Sequence, residues 1–266
     1  MTTMPAVLAT ALKQIRCEEI PVPDPEPGKV LVKTTLASIC GSDLHIVYMG
    51  WNVHEFPLPH GYPGHEGVGE VVDGGGTGFE PGELVLTAPN IWGSRCFAGY
   101  QLIDPQFLLR LPTDTPQTHL LMAQQLGTVV FGCRRLPSLV GKTVVVVGQG
   151  SVGLFHDFML RRIGAHRIIA IEPVAERLAQ GRRMGVDEAV DVTGQRATDA
   201  VMDLTNGEGA DLVIEGVGSV ETFNQTLQLV KPLGQIAVFG LPPTMDRVPF
   251  DWDTFFRKRL DLHTVF

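Results

Sequence analysis

The chain has 266 residues, 44% of them hydrophobic, enough for a sizeable buried core and for two domains. Its formal net charge is −8 and its Lys and Arg are not clustered, so it lacks the electrostatic footprint for nucleic acid or an anionic membrane surface. No apolar run approaches a membrane span, and residues 1–13 show no basic patch ahead of an apolar stretch, so no signal peptide is read there. The cysteines Cys17, Cys40, Cys96 and Cys133 are scattered without paired spacing. A soluble cytoplasmic protein without a disulfide framework is expected.

In chain order, the first part is rich in Gly and Pro and reads as short strands broken by turns. Strands are predicted over Lys29 to Ala37, Gly67 to Val72 and Glu83 to Ala88. Pro21, Pro23, Pro25 and Pro27 favour an extended polyproline connector inside this domain. Gly74, Gly75 and Gly76 mark a turn that needs positive φ. The texture changes near Thr115, which caps a predicted helix with Pro116 in its first turn. Apolar positions then recur at helical spacing until Pro137. The expected domains are therefore 1–114 and 115–266.

Beyond Lys142, strands are predicted over Thr143 to Val147, Arg167 to Ile171, Glu188 to Val192, Asp211 to Val217, Gln235 to Phe239 and Leu260 to Phe266. Helices fit between the first five, for example over Val174 to Met184 and Val220 to Val230. Continuous apolar strands separated by helices indicate an α/β fold with a doubly wound parallel sheet covered on both faces.

The strand Val144 to Val147 runs into Gly148-Gln149-Gly150-Ser151-Val152-Gly153, a G-x-G-x-x-G pattern in its required strand-turn-helix setting. Gly148 permits the tight turn, Gly150 lets the backbone approach a pyrophosphate, and Gly153 lets the helix pack on the sheet. The helix starting at Ser151 and Val152 offers unpaired N–H groups to phosphates. Glu172 closes the next strand, 19 residues after Gly153. A carboxylate there accepts hydrogen bonds from ribose hydroxyls and repels a 2′-phosphate, which favours NAD over NADP. Arg177 is placed to lean over the adenosine ribose, and pairing of Arg177 with a 2′-phosphate is the alternative.

The runs Cys40-Gly41-Ser42-Asp43-Leu44-His45 and Gly64-His65-Glu66-Gly67 gather a thiol, a hydroxyl, carboxylates and two imidazoles within the first domain. Zinc takes thiolate sulfur and neutral imidazole nitrogen, so Cys40 and His65 are candidate ligands, and Asp43 could fix the tautomer of a ligating His. On composition alone, a buried structural cysteine and satisfied loop histidines account for them equally well. Tyr48, Trp51 and Trp92 either shape a substrate pocket or belong to the core. Cys133, Arg134 and Arg135 end the linking helix, and His54, His60 and His119 read as loop or surface residues.

These runs and the glycine fingerprint, in this order, resemble the zinc-containing medium-chain alcohol and polyol dehydrogenases. Further matches are Phe97-Ala98-Gly99-Tyr100, Thr128 in the linking helix and Phe239-Gly240-Leu241-Pro242-Pro243. The resemblance covers essentially the whole chain. It implies a GroES-like catalytic domain followed by a Rossmann domain, with the active site in the cleft between them. It assigns Cys40 and His65 to one catalytic zinc, with Glu66 able to swing onto the metal. It places Ser42 on the substrate oxygen, His45 on a proton path to solvent, and Thr128 and Leu241 near the nicotinamide. The implied reaction moves hydride between an alcohol or polyol CH–OH group and NAD, with a small alcohol or carbonyl as substrate. Pairing of the last strand's edge across a two-fold axis implies a homodimer.

Three departures stand against the family pattern. The stretch Pro89 to Ala98 holds only Cys96, which excludes a structural zinc with four cysteines. The family's further zinc ligand, a Cys or Glu four residues before Thr128, falls on Gln124, a weaker neutral donor. The chain stops at Phe266, where family members continue, so a truncated product of doubtful activity is expected. The alternatives are a zinc-free NAD(P)H quinone or enoyl reductase of the same superfamily, and a catalytically inactive nucleotide-binding protein.

Overall fold

The computed structural model describes residues 2–89, 93–242 and 248–265. The chain forms two compact units, Met1–Gln124 and Gln125–Phe266. Among the described residues, no helix is long and apolar enough to cross a membrane.

The first unit begins with a hairpin of β1 (Thr3–Ala11) and β2 (Gln14–Pro21). Then follow β3 (Val30–Ser38), α1 (Gly41–Met49), β4 (Glu66–Asp73), β5 (Leu84–Thr87), β6 (Tyr100–Ile103), β7 (Leu108–Arg110) and α2 (Gln117–Leu121). Five of these strands form an antiparallel sheet in the order β6-β3-β4-β5-β7. Alternate residues point inward, and Val30, Val32, Val71, Val85 and Ile103 make the buried core beneath the sheet. The register sets Ser38 opposite Glu66, a pairing that the site uses. At the glycine turn, Gly75 and Gly76 take φ of 56° and 75°, and a Cβ on Gly75 would lie 2.0 Å from the Lys29 carbonyl oxygen.

Two expectations fail in this unit. The hairpin β1–β2 has no counterpart among the predicted strands, because β2 is largely exposed and charged and shows little apolar alternation. The single helix predicted from Pro116 to Pro137 is interrupted. α2 has Pro116 itself at its N-cap, and α3 (Ala123–Arg134) restarts after Met122. Leu121 is buried among Val68 and Leu86 with Met122 packed beside it, at the point where the two helices meet.

The second unit contains most of α3, then β8 (Thr143–Val147), α4 (Ser151–Arg162), β9 (Arg167–Ile171), α5 (Ala175–Met184), β10 (Glu188–Val190) and α6 (Gly194–Leu204). It continues through β11 (Ala210–Glu215), α7 (Val220–Leu229), β12 (Val230–Val238), α8 (Trp252–Lys258) and β13 (Asp261–Thr264). The six strands are parallel in the order β10-β9-β8-β11-β12-β13. Chain order reverses between β8 and β11, the switch point where such sheets bind ligands at the carboxyl ends of their strands.

The apolar runs follow from burial on both faces. Val145, Val147, Ile169 and Val213 enter one core, while Val144, Val146, Ile168 and Leu212 enter the other. Each fully buried aliphatic side chain contributes roughly 1.5–3 kcal/mol. Four strand ends differ from expectation by two residues or more, one of them that of β13, which stops at Thr264. β10 stops at Val190, β11 stops at Glu215 where its carboxylate begins a turn, and β12 starts at Val230. Phe266 and Pro243 lie outside the described residues.

Candidate metal centre and dinucleotide site

β3 leads directly into α1, and Cys40 occupies the N-cap of that helix. Asp43, one turn in and 3% exposed, joins the two ligand-bearing segments. Its Oδ2 accepts the Cys40 backbone N–H at 2.8 Å, and its Oδ1 accepts from His65 Nδ1 at 3.1 Å. The Nδ1 proton is thereby held toward Asp43, leaving Nε2 as the donor nitrogen of His65.

That nitrogen faces the other candidates. His65 Nε2 lies 4.0 Å from Glu66 Oε1 and 3.5 Å from Ser42 Oγ. Ligand atoms of Cys40, His65 and Glu66 all lie within 4.8 Å of one another. Glu66 is buried at the start of β4, and Ser38 Oγ donates to its Oε2 across the strand pair. Burial pushes His65 toward the neutral form, but its contacts with Asp43 and then Cys40 prevail and raise its pKa to about 10. Without a metal the ring is therefore held as an imidazolium, and a metal binding at Nε2 would displace the proton from that nitrogen.

The flanking glycines are fixed by packing. A Cβ on Gly64 would lie 2.7 Å from the Phe97 ring, and one on Gly67 would lie 2.7 Å from Thr87 Oγ1 and 2.8 Å from Cys96 Sγ. Cys96 is buried against Thr87 and outside the ligand cluster, and burial raises its thiol pKa. His45 points Nδ1 at the Gly41 carbonyl oxygen, 2.7 Å away, and is not among the groups that meet at His65 Nε2. Trp51 packs beside Ile46, Val47, Leu58 and Tyr62, Tyr48 is exposed, and Trp92 lies outside the described residues. Gln124 is half-buried on α3.

In the second unit, Gly148 has φ of 92° and donates its N–H to Ile171. Gly150 caps α4 with open space where a Cβ would stand, which leaves the first turn at Ser151 and Val152 accessible to a phosphate. A Cβ on Gly153 would lie 2.0 Å from the Gly148 carbonyl oxygen, so the helix approaches the strand as only glycine permits. Glu172 is 4% exposed. Its Oε2 accepts from Gln149 N at 2.8 Å and its Oε1 from Val174 N at 3.1 Å. Arg177 Nη1 stands 3.6 Å from Glu172 Oε2.

Gly148, Gly150, Glu172 and Arg177 line one cavity of about 670 Å³, together with Thr193 and Gln225, which sequence reasoning missed. Thr193 and Gln225 come from the crossovers after β10 and β11, and their types carry no dinucleotide signature. Leu241 follows β12 beside Gly218, and Thr128 lies exposed on α3 with Oγ1 bonded to the Gln125 carbonyl.

Residues 151–266 match the family described as zinc-binding dehydrogenase, and residues 26–113 match the alcohol dehydrogenase GroES-like domain. An L-threonine 3-dehydrogenase of Pyrococcus horikoshii is 29% identical over 259 residues, spanning 88% of this chain and 74% of that protein. A protein from Sinorhizobium meliloti assigned as a zinc-binding dehydrogenase and bound to NADP superposes with a TM-score of 0.86. It is 25% identical, and the match covers 100% of this chain and 85% of the other. An alcohol dehydrogenase from Thermus sp. ATN1 gives a TM-score of 0.83 at 26% identity, over 98% of this chain and 84% of that one. With both halves matched in order on a GroES-like domain and a Rossmann-type sheet, the chain belongs to the zinc-containing medium-chain dehydrogenases.

Proposed function

We propose that this dehydrogenase moves hydride between the CH–OH group of an alcohol or polyol and NAD, with one zinc held by Cys40, His65 and Glu66. The convergence of those three ligand atoms within 4.8 Å carries the reading. The donor set suits zinc, combining a thiolate, an imidazole whose second nitrogen is held by a carboxylate, and a buried carboxylate. Gln124, at the position of the family's further ligand, offers only a neutral amide, so Glu66 supplies the second anionic donor. When bound, the metal contributes Lewis acidity toward a substrate oxygen.

The chain's own residues do the rest. Asp43 holds a proton of His65 on Nδ1, so the proton that leaves when a metal binds is the one on Nε2. Ser38 orients Glu66. Ser42 Oγ would relay the substrate hydroxyl proton, accepting it as its own proton passes on through the nicotinamide ribose to His45 and solvent. Gly150, Ser151 and Val152 seat the pyrophosphate, and Glu172 accepts the adenosine ribose hydroxyls while its charge disfavours a 2′-phosphate. Thr128 and Leu241 flank the nicotinamide. The named relatives suggest secondary alcohols, including β-hydroxy amino acids, as the first substrates to try.

Initial rates of NAD and NADP reduction against secondary alcohols, polyols and L-threonine test the proposal. Turnover with NAD preferred is expected. A chain that binds zinc and NAD yet oxidises none of them would favour the second reading, a nucleotide-binding protein without turnover, which Gln124 supports. A zinc-free reductase is disfavoured because it has no use for the Cys40–His65–Glu66 convergence. β13 forms one edge of its sheet, and we place the homodimer contact there; sedimentation showing only monomer at micromolar concentration would refute it.

A further inference from the structure

We propose that Gln225 selects the base of the dinucleotide, its Oε1 accepting a hydrogen bond from the 6-amino group of adenine. This deepens the dinucleotide-binding reading above and rests on it. The cavity of about 670 Å³ is lined by the pyrophosphate turn at Gly148 and Gly150, by Glu172 for the ribose, and by Val217, Thr193 and Gln225. With the phosphates and the ribose given to the first three, the base falls to the last three.

Gln225 stands on α7, and its amide is held in one sense. Nε2 donates to the Gly194 carbonyl oxygen at 2.8 Å and to Thr198 Oγ1 at 3.3 Å, both on α6. A carbonyl oxygen only accepts, so the amide cannot turn over without setting two acceptors against each other. Among the described residues Oε1 has no hydrogen-bond partner, and it is not one of the polar atoms sealed inside the fold. The residue therefore offers a free acceptor where it lines the cavity. Beside it, Gly194 has φ of 59° and open space where a Cβ would stand, which leaves room for a flat ring.

Adenine presents a donor at its 6 position. Hypoxanthine carries a carbonyl oxygen there and a proton on N1, with the rest of the dinucleotide unchanged. Against an Oε1 that cannot turn over, that carbonyl oxygen leaves two acceptors facing each other and unpaired. Apolar contact with the ring faces holds the two bases about equally, and Pro173 and the 51% exposed Val217 supply such contact in the same cavity. The Thr193 hydroxyl can donate or accept and so favours neither base. The fixed amide is what separates them.

Calorimetry on the whole chain compares NAD with nicotinamide hypoxanthine dinucleotide. The unaltered chain should bind NAD at least about tenfold more tightly. Gln225→Met, similar in length and without an amide, should bring that ratio below about twofold, chiefly by weakening NAD. A ratio below about twofold in the unaltered chain would overturn the assignment, and that measurement needs no variant. A preference that survives intact in Gln225→Met would overturn it as well, because another acceptor on the wall, such as the exposed Glu221, would then be reading the base. Failure of both dinucleotides to bind the unaltered chain would remove the dinucleotide reading and this assignment with it, whereas equal binding removes only the role of Gln225.

Discussion

Asp43→Asn isolates how the metal centre sets the proton on its histidine. The carboxylate now accepts two N–H groups, from the Cys40 backbone and from His65 Nδ1. The amide has one acceptor oxygen and one donor nitrogen. If its oxygen stays on the Cys40 N–H, its NH₂ group faces His65 Nδ1, the Pro63 carbonyl oxygen at 3.3 Å is left to hold the Nδ1 proton, and the tautomer with the proton on Nε2 gains weight. That is the nitrogen turned toward Glu66 and Ser42, and a protonated nitrogen cannot ligate zinc. If the oxygen turns to His65 instead, the part-buried Cys40 N–H loses its partner. Either arrangement should cost about 1.4–2.7 kcal/mol, a 10- to 100-fold loss of zinc affinity. Competition with a chromogenic chelator at fixed pH measures it, and melting of the metal-free forms verifies that the fold survives. Unchanged zinc affinity in a folded Asp43→Asn protein would show that Asp43 does not orient the ligand.

Two further outcomes follow from buried carboxylates in the second unit. Asp157 on α4 is fully buried, and among the described residues neither of its oxygens makes a well-formed hydrogen bond. Burial raises its pKa from 3.8 to about 8, offset only in part by the nearby Gln149 amide. The native state therefore binds a proton that the unfolded chain releases, so stability falls as pH rises from about 4 through about 8, by at most about 1.4 kcal/mol per pH unit. Asp157→Asn should be more stable than the parent by a few kcal/mol at pH 8.5 and by much less at pH 5, in urea unfolding. A pH-independent difference would contradict the assignment. Glu172→Gln keeps an acceptor for Gln149 N but removes the charge beside Arg177, and should raise the NADP-to-NAD ratio of kcat/KM at least about tenfold. An unchanged ratio would mean that the carboxylate does not face the ribose.

The parallel sheet was legible because strands buried on both faces must be apolar throughout, and Val144 to Val147 or Ile168 to Ile171 admit no other reading. The hairpin of β1 and β2 was not, since β2 exposes Arg16, Cys17 and Glu19 and is held by its pairing to β1 instead of by an apolar face of its own. Cys40, His65 and Glu66 could be named from residue type and motif. Ser38 could not, because its contact with Glu66 exists only through the β3–β4 register. Asp43 was assigned to the second nitrogen of a ligating histidine, and its other bond, to Cys40 N, comes from the helix cap. The break at Met122 falls beside the buried Leu121, whose partners Val68 and Leu86 lie far away in sequence and leave no mark on helical periodicity.

The sharpest test is the zinc content and NAD-linked turnover of a single preparation purified without added metal, compared with Cys40→Ala prepared in parallel. Near-stoichiometric zinc and alcohol oxidation should both be present in the parent and both vanish in the variant. Alcohol oxidation by a parent protein devoid of zinc, or full zinc retention in Cys40→Ala, would contradict the thiolate–imidazole–carboxylate centre on which the mechanism stands.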